Sequence, residues 1–194
     1  DVLDARALVQ LDWPLMDSQV RAWDGIAESR VALLLGPPGT GKTFTLSAMA
    51  LGYLLARRKA GQPCRVFVKA FTRNAIINVL ENLAEKLAVQ GGDDVPVNFL
   101  GRSSALPDGV RSLQVTNKEL PGTRKHLKNP YSFTGCTVWT LYRLIKDAPE
   151  PIHFDLVCLD EASQMLLSHG LMALAGLAPS GKVLVVGDDR QLPP

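Results

Sequence analysis

The residues Gly36-Pro-Pro-Gly-Thr-Gly-Lys-Thr43 satisfy the pattern G-x-x-x-x-G-K-[ST] at every fixed position. Gly36, Gly39 and Gly41, with Pro37, Pro38 and Thr40 between them, form a loop whose backbone N–H groups can turn inward toward phosphate oxygens. A helix opening at Lys42 adds the positive potential of its N-terminus. Lys42 is a point charge suited to the β- and γ-phosphates of a nucleoside triphosphate. The Thr43 hydroxyl suits Mg²⁺, a hard cation that prefers oxygen. Such a cradle needs a second metal anchor and a group that activates water. Asp160-Glu161 supplies both residue types: Asp160 to hold the metal through a water, Glu161 to take a proton as general base. A third polar cluster, Gly187-Asp-Asp-Arg-Gln-Leu-Pro-Pro194, carries Gln191. Its amide can donate to a γ-phosphate and accept from the neighbouring water, which distinguishes triphosphate from diphosphate.

Each cluster follows an apolar run. Val31–Leu35, Phe154–Leu159 and Lys182–Val186 read as strands, the first as one buried on both faces of a parallel sheet. Ligands of open α/β sheets bind at the carboxyl ends of strands, where these three clusters stand. A helix capped by Asp17 or Ser18 is predicted from Gln19 to Ser29, and others over Lys42–Arg58, Asn74–Gln90, Leu141–Lys146 and His169–Ala178. Arg65–Ala70 is a further strand, and Thr137–Thr140 is strand-like. Strands alternating with helices predict an α/β fold: a mostly parallel sheet with helices on both faces and right-handed crossovers. From Asp93 to Tyr131 the pattern weakens, with two short strand-like runs, Val95–Leu100 and Val110–Val115. The segment 92–135 therefore reads as an irregular insertion or accessory segment. Lys118, Arg124, Lys125 and Lys128 make it the most basic stretch, which fits either a solvated face or a nucleic-acid contact.

Composition narrows the class. The 194 residues suit one α/β domain, and 46% apolar with 21% charged residues is the globular range. A formal charge of +2 excludes a strongly basic coat but not a local basic groove. No uninterrupted apolar run exceeds five residues, and the N-terminus has no apolar signal region, so the expectation is no membrane span and an intracellular location, cytoplasmic or nuclear/nucleoid. Cys64, Cys136 and Cys158 are widely spaced, so neither structural zinc nor a disulfide framework is expected, and Cys158 reads as a small buried hydrophobe. Trp23 and Trp139 are predicted to be core residues, while Trp13 is left open between core and nucleotide flank.

Gly36–Thr43, Asp160-Glu-Ala-Ser-Gln164 and Gly187-Asp-x-x-Gln-Leu-Pro-Pro194 resemble motifs I, II and III of superfamily 1 helicases. The D-E-A-S-Q form is similar to the 1B branch, which includes the nonsense-mediated-decay RNA helicase and the flap-processing nuclease-helicase. Phe71-Thr-Arg-Asn-Ala-Ile-Ile-Asn78 resembles motif Ia, departing from it at Ile77, where the family usually has Asp, and at Arg73. Met16-Asp-Ser-Gln19 resembles the upstream glutamine motif, and Thr137–Leu141 stands where motif Ic is expected. The resemblance implies that residues 1–194 are a RecA-like P-loop ATPase lobe, lobe 1A of a longer helicase. A second RecA-like lobe would deliver arginine fingers and the other half of the nucleic-acid track. It implies ATP and Mg²⁺ as cofactors, single-stranded DNA or RNA as partner, and 5′-to-3′ travel. Gln19 would read the adenine edge, and Thr72, Arg73 and Thr140 would lie near the nucleic-acid backbone. Two other readings stand beside it: a different P-loop machine, such as an AAA+ ATPase or nucleotide kinase, and a degenerate lobe that senses nucleotide or scaffolds a partner. Intact Lys42, Thr43, Asp160, Glu161 and Gln191 argue against degeneration.

Overall fold

The computed structural model describes residues 2–9, 11, 14–103, 105–146 and 148–188. Its frame is a sheet of β1 (Val31–Leu35), β2 (Cys64–Ala70), β3 (Val97–Leu100), β4 (Val110–Leu113), β5 (Tyr131–Gly135), β6 (Phe154–Asp160) and β7 (Leu177–Gly187). The seven strands run in the spatial order β1-β7-β6-β2-β5-β3-β4. Every pairing is parallel. Parallel strands need long crossovers, and most of these are helical: α2 (Asp17–Glu28), α3 (Lys42–Lys59), α4 (Arg73–Val89), α5 (Leu120–His126), α6 (Val138–Ile145) and α7 (Leu167–Ala173), with α1 (Val2–Ala7) leading in.

Alternation along the central strands feeds two cores. Val66 and Val68 of β2, with Leu156 and Cys158 of β6, face the layer built by α1 to α4. Phe67, Val157 and Leu159 face the opposite layer, which holds Leu127 and the α6 stripe Val138, Leu141 and Leu144. The Phe67 and Phe154 rings lie 5.1 Å apart between centroids, a pairing that contributes about 1 kcal/mol beyond its buried area. Trp23, 2% exposed, wedges α2 onto α3. A methyl group on Gly52 would lie 2.4 Å from the Trp23 ring, so the absence of a side chain at residue 52 is what lets α2 approach.

Several expectations change. Among the described residues Val31–Leu35 is an edge strand, paired only with β7, and not buried on both faces. Its Leu33 is 64% exposed. Met16, not Asp17 or Ser18, precedes α2, because the Gln19 side chain reaches back to the Met16 N–H. Thr137–Thr140 is not strand: Thr137 caps α6 by accepting the Thr140 N–H. Val138 and Leu141 then take the buried stripe, which leaves Trp139 63% exposed and not in the core. The helix predicted over His169–Ala178 stops at Ala173, because Leu177 already pairs with Phe154 in the sheet. The segment 92–135 contributes β3, β4 and β5 to the sheet, with β5 seated between β2 and β3. All three cysteines are buried and free. Trp13 lies outside the described residues.

Candidate functional site

The spatial order β1-β7-β6-β2 sets four carboxyl-end loops side by side on one edge of the sheet. Gly36 follows β1, Asp188 follows β7, Glu161 follows β6 and Phe71 follows β2. Three hydrogen bonds tie the first three loops together. The Gly36 N–H donates to the Gly187 carbonyl at 3.2 Å. The Thr43 hydroxyl donates to Asp160 Oδ2 at 3.1 Å. The Asp188 N–H donates to Ser163 Oγ at 3.3 Å. Between them lies a cavity of about 450 Å³, lined among others by Gly39, Lys42, Thr43, Asp160, Glu161 and Asp188.

The loop from Gly36 to Thr43 has the backbone its glycines permit. Gly39 and Gly41 sit at φ 79° and 72°, a left-handed region that costs most side chains strain. A Cβ on Gly39 would meet nothing within 4 Å, so its backbone is open on that side. The Thr40 hydroxyl closes the turn onto the Pro37 carbonyl at 2.8 Å. The Lys42 ammonium donates to the carbonyls of Gly36 at 2.6 Å and Pro37 at 2.8 Å, which keeps the charge over the loop and not out in solvent. Thr43 and Asp160 offer a hydroxyl and a carboxylate within one hydrogen bond of each other, an all-oxygen donor pair of the kind a hard divalent cation takes.

The two acids differ in setting. Asp160 is buried, which pushes its carboxyl above the ordinary range, while the Glu161 N–H, the Thr43 hydroxyl and the Lys42 charge pull it back. Glu161 is also raised, first by burial and then by the Asp160 charge, and the Thr72 N–H and Lys69 oppose this. Glu161 is the one non-glycine described residue with positive φ, 52°. Strain of this kind costs on the order of 1–3 kcal/mol and persists where the surroundings fix it. Here it turns the carboxylate away from the strand axis toward the loop that follows β2.

Gln19 lies beneath the phosphate loop. Its Oε1 accepts the Met16 N–H and its Nε2 donates to Thr45 Oγ1, both at 2.8 Å. A Cβ on Gly41 would stand 3.4 Å from that Nε2. One N–H and one oxygen lone pair of the amide remain available for a further partner. Thr45 was not singled out by the sequence; its position on the first turn of α3, in register with Gln19, becomes visible only in the fold.

Thr72 and Thr137 head α4 and α6 from the ends of the adjacent strands β2 and β5. The Thr72 hydroxyl caps α4 by accepting the Ala75 N–H at 3.1 Å, worth about 1 kcal/mol. Thr72 and Arg73 are exposed. Arg73 lies 4.9 Å over the Phe99 ring and opens onto a cleft that also holds Asn74, Asn78, Arg102 and Ser103. Arg102 and Ser103 were missed because a single Arg-Ser pair after a short strand carries no pattern of its own. Thr140 Oγ1 shares a hydrogen bond with Thr137 Oγ1 at 3.0 Å. The basic stretch lies elsewhere: Arg124, Lys125 and Lys128 line a cavity with Arg65 and Ile152, beside the starts of β2 and β6. Arg124 is spent on the Leu144 and Lys146 carbonyls, and Lys128 pairs with Glu150. Gln191 lies outside the described residues.

Comparison with known proteins gives a family and a fold. Residues 19–194 match a family described as an AAA domain. The chain is 30% identical over 170 residues to the DNA replication ATP-dependent helicase/nuclease dna2 of Schizosaccharomyces pombe, covering 87% of this chain and 11% of that protein. It is 27% identical over 188 residues to the ATP-dependent RecD2 DNA helicase of Deinococcus radiodurans, covering 93% of this chain and 18% of that one. The chain thus spans less than a fifth of the length of either relative. In fold it is similar to a nuclease-deletion mutant of the Type ISP restriction-modification enzyme LlaGI, solved with a DNA substrate mimic. That match has a TM-score of 0.54 at 16% identity over 92% of this chain and 18% of that one. The parallel sheet with helices on both faces is the RecA-like fold.

Proposed function

The chain belongs to the AAA-domain family, and from that premise we propose that it is the first RecA-like motor lobe of a superfamily 1 helicase, which uses ATP hydrolysis to move along and unwind nucleic acid. The observation that carries the reading is the meeting of three strand ends on one cavity, tied by Thr43–Asp160, Gly36–Gly187 and Ser163–Asp188. The helicase names of the two relatives support the activity, and their greater length supports a second RecA-like lobe in the same protein.

In this reading the N–H groups of the loop and of the first turn of α3 receive the phosphates. Lys42 exchanges its Gly36 and Pro37 carbonyls for phosphate oxygens. Thr43 and Asp160 would hold Mg²⁺, which would supply neutralisation of phosphate charge when bound. Glu161 accepts the proton of the attacking water at its carboxylate, and Gln191 senses the γ-phosphate. Gln19 addresses the adenine edge with its remaining N–H and lone pair. Thr72, Arg73 and Thr140, joined by Arg102 across the cleft, receive the sugar-phosphate backbone of a single strand. Closure of the second lobe on the nucleotide, and its reopening after hydrolysis, converts turnover into stepping. The nucleic-acid substrate of this reading sets the site of action inside the cell. No described helix is long and apolar enough to cross a membrane.

The test is ATPase activity of the full-length protein with and without single-stranded DNA, then RNA. The expected result is stimulation of at least several-fold by one or both. Hydrolysis that neither strand alters would favour a P-loop machine of the AAA+ type. Nucleotide binding without hydrolysis under any condition would favour a sensor or scaffold lobe.

A further inference from the structure

Tryptophan is highly buried on average, yet Trp139 is 63% exposed. It stands on the first turn of α6, whose inner face is taken by Val138, Leu141 and Leu144. Residues three, four and seven positions further on share its outer face. These are Tyr142, 45% exposed, and the exposed Arg143 and Lys146. Two rings and two cations thus form one stripe, and the helix carries no acidic residue. The Lys146 ammonium lies 5.5 Å over the Tyr142 ring. The His169 ring on α7 meets Trp139 edge-on, with 6.3 Å between centroids and 77° between planes, which steadies the indole from one side.

Exposed rings alone would suit any apolar partner. The interleaved cations narrow the class, because single strands of nucleic acid bind where bases stack on aromatic rings and the backbone meets positive charge. The stripe also begins at the edge where the strand is proposed to run. Thr137 heads α6 from the end of β5, and β5 pairs with β2, which delivers Thr72 and Arg73. Helix α4 packs on one face of the sheet and α6 on the other. A strand that runs from Arg73 to Trp139 therefore crosses the sheet edge and passes Thr140 on the way to the outer face of α6. The adjoining α7 exposes Leu167 and Leu171, which offer neither ring nor charge, so the stripe is confined to α6.

We propose that the outer face of α6 is a stacking platform for single-stranded nucleic acid. The Trp139 ring takes a base, Tyr142 extends the surface, and Arg143 and Lys146 meet the phosphates. The proposal rests on the reading of the chain as a helicase lobe and adds to it the face over which the strand leaves the sheet edge. Every base has a π-face, so the platform grips without sequence preference.

Two measurements on the full-length protein test it. The first is binding of a fluorescently labelled single-stranded oligonucleotide, DNA and then RNA, read by anisotropy without ATP. Trp139→Ala should weaken binding by roughly 5- to 100-fold, the range for removing one stacked base. Trp139→Phe keeps a ring and should recover most of the affinity. Trp139→Leu is apolar without a ring and should not. The second is the salt dependence of the same binding. Arg143→Gln and Lys146→Gln should each lower the slope of log affinity against log salt by about 0.7, the share of one phosphate contact in a single strand. Wild-type affinity in Trp139→Ala overturns the platform. Recovery by leucine equal to that by phenylalanine also overturns it, and would assign the face to an apolar protein partner. A slope unchanged in both cation variants overturns the phosphate contacts. Strand binding and strand-stimulated ATPase that are the same in wild type and Trp139→Ala would remove the platform and leave the helicase reading in place. A wild-type protein that binds no single strand would remove both.

Discussion

Lys42→Ala should lower ATP turnover on the order of 10²–10³-fold or more, the scale set by removing one preorganised donor from a site where charge develops. Gly39 and Gly41 hold left-handed backbone, and the Lys42 ammonium lies across the loop on the Gly36 and Pro37 carbonyls. Those carbonyls are acceptors that cannot serve a phosphate, so the ammonium is the group that changes partners when phosphate oxygens enter. Alanine keeps the helix start, because it is the best helix former, and the loss is therefore one of charge and not of fold. The check is steady-state phosphate release by the full-length protein with strand present, beside an unfolding curve for each variant. Turnover within tenfold of wild type, with the fold intact, would remove Lys42 from the phosphate site.

Glu161→Gln should leave nucleotide binding within a few-fold of wild type and slow hydrolysis by roughly 10²–10⁴-fold, the usual contribution of a positioned general base. Glutamine matches the carboxylate in shape and keeps an oxygen to accept the Thr72 N–H that reaches Glu161. It has no basicity to offer a water. Strain at φ 52° is carried equally by either side chain. The variant should accumulate as an ATP-bound state, seen as a normal binding isotherm with slow single-turnover release. Wild-type turnover would place the base on another residue.

Much of the site was legible in the sequence because its signals are local. Eight consecutive residues define the phosphate loop, and Asp160-Glu161 stands directly after an apolar run that forms β6. Their convergence also followed from a general rule, since parallel strands deliver their carboxyl-end loops to one edge. What stayed hidden depends on neighbours far along the chain. Val31–Leu35 has the composition of a central strand, and only the β1-β7 order makes it an edge. Trp139 is apolar and sits among apolar residues, but the Thr137 cap sets the helical phase that turns it outward. Tyr131–Gly135 ends the segment 92–135 that reads as an insertion, yet it fills the gap between β2 and β3. Lys69 carries no motif; its burial across from Leu159 comes from β2 and β6 lying in register. Gln19 was read from its resemblance to a motif, while the partners that hold it, Met16 and Thr45, come from the fold.

The most direct measurement of the central claim is calorimetric titration of a non-hydrolysable ATP analogue into the full-length protein, with Mg²⁺ and with Mg²⁺ chelated. The expected result is one site per chain, at least tenfold weaker without Mg²⁺, and weakened again by Lys42→Ala and by Asp160→Asn. No heat of binding in the intact protein, or an isotherm indifferent to Mg²⁺ and to both substitutions, would contradict it.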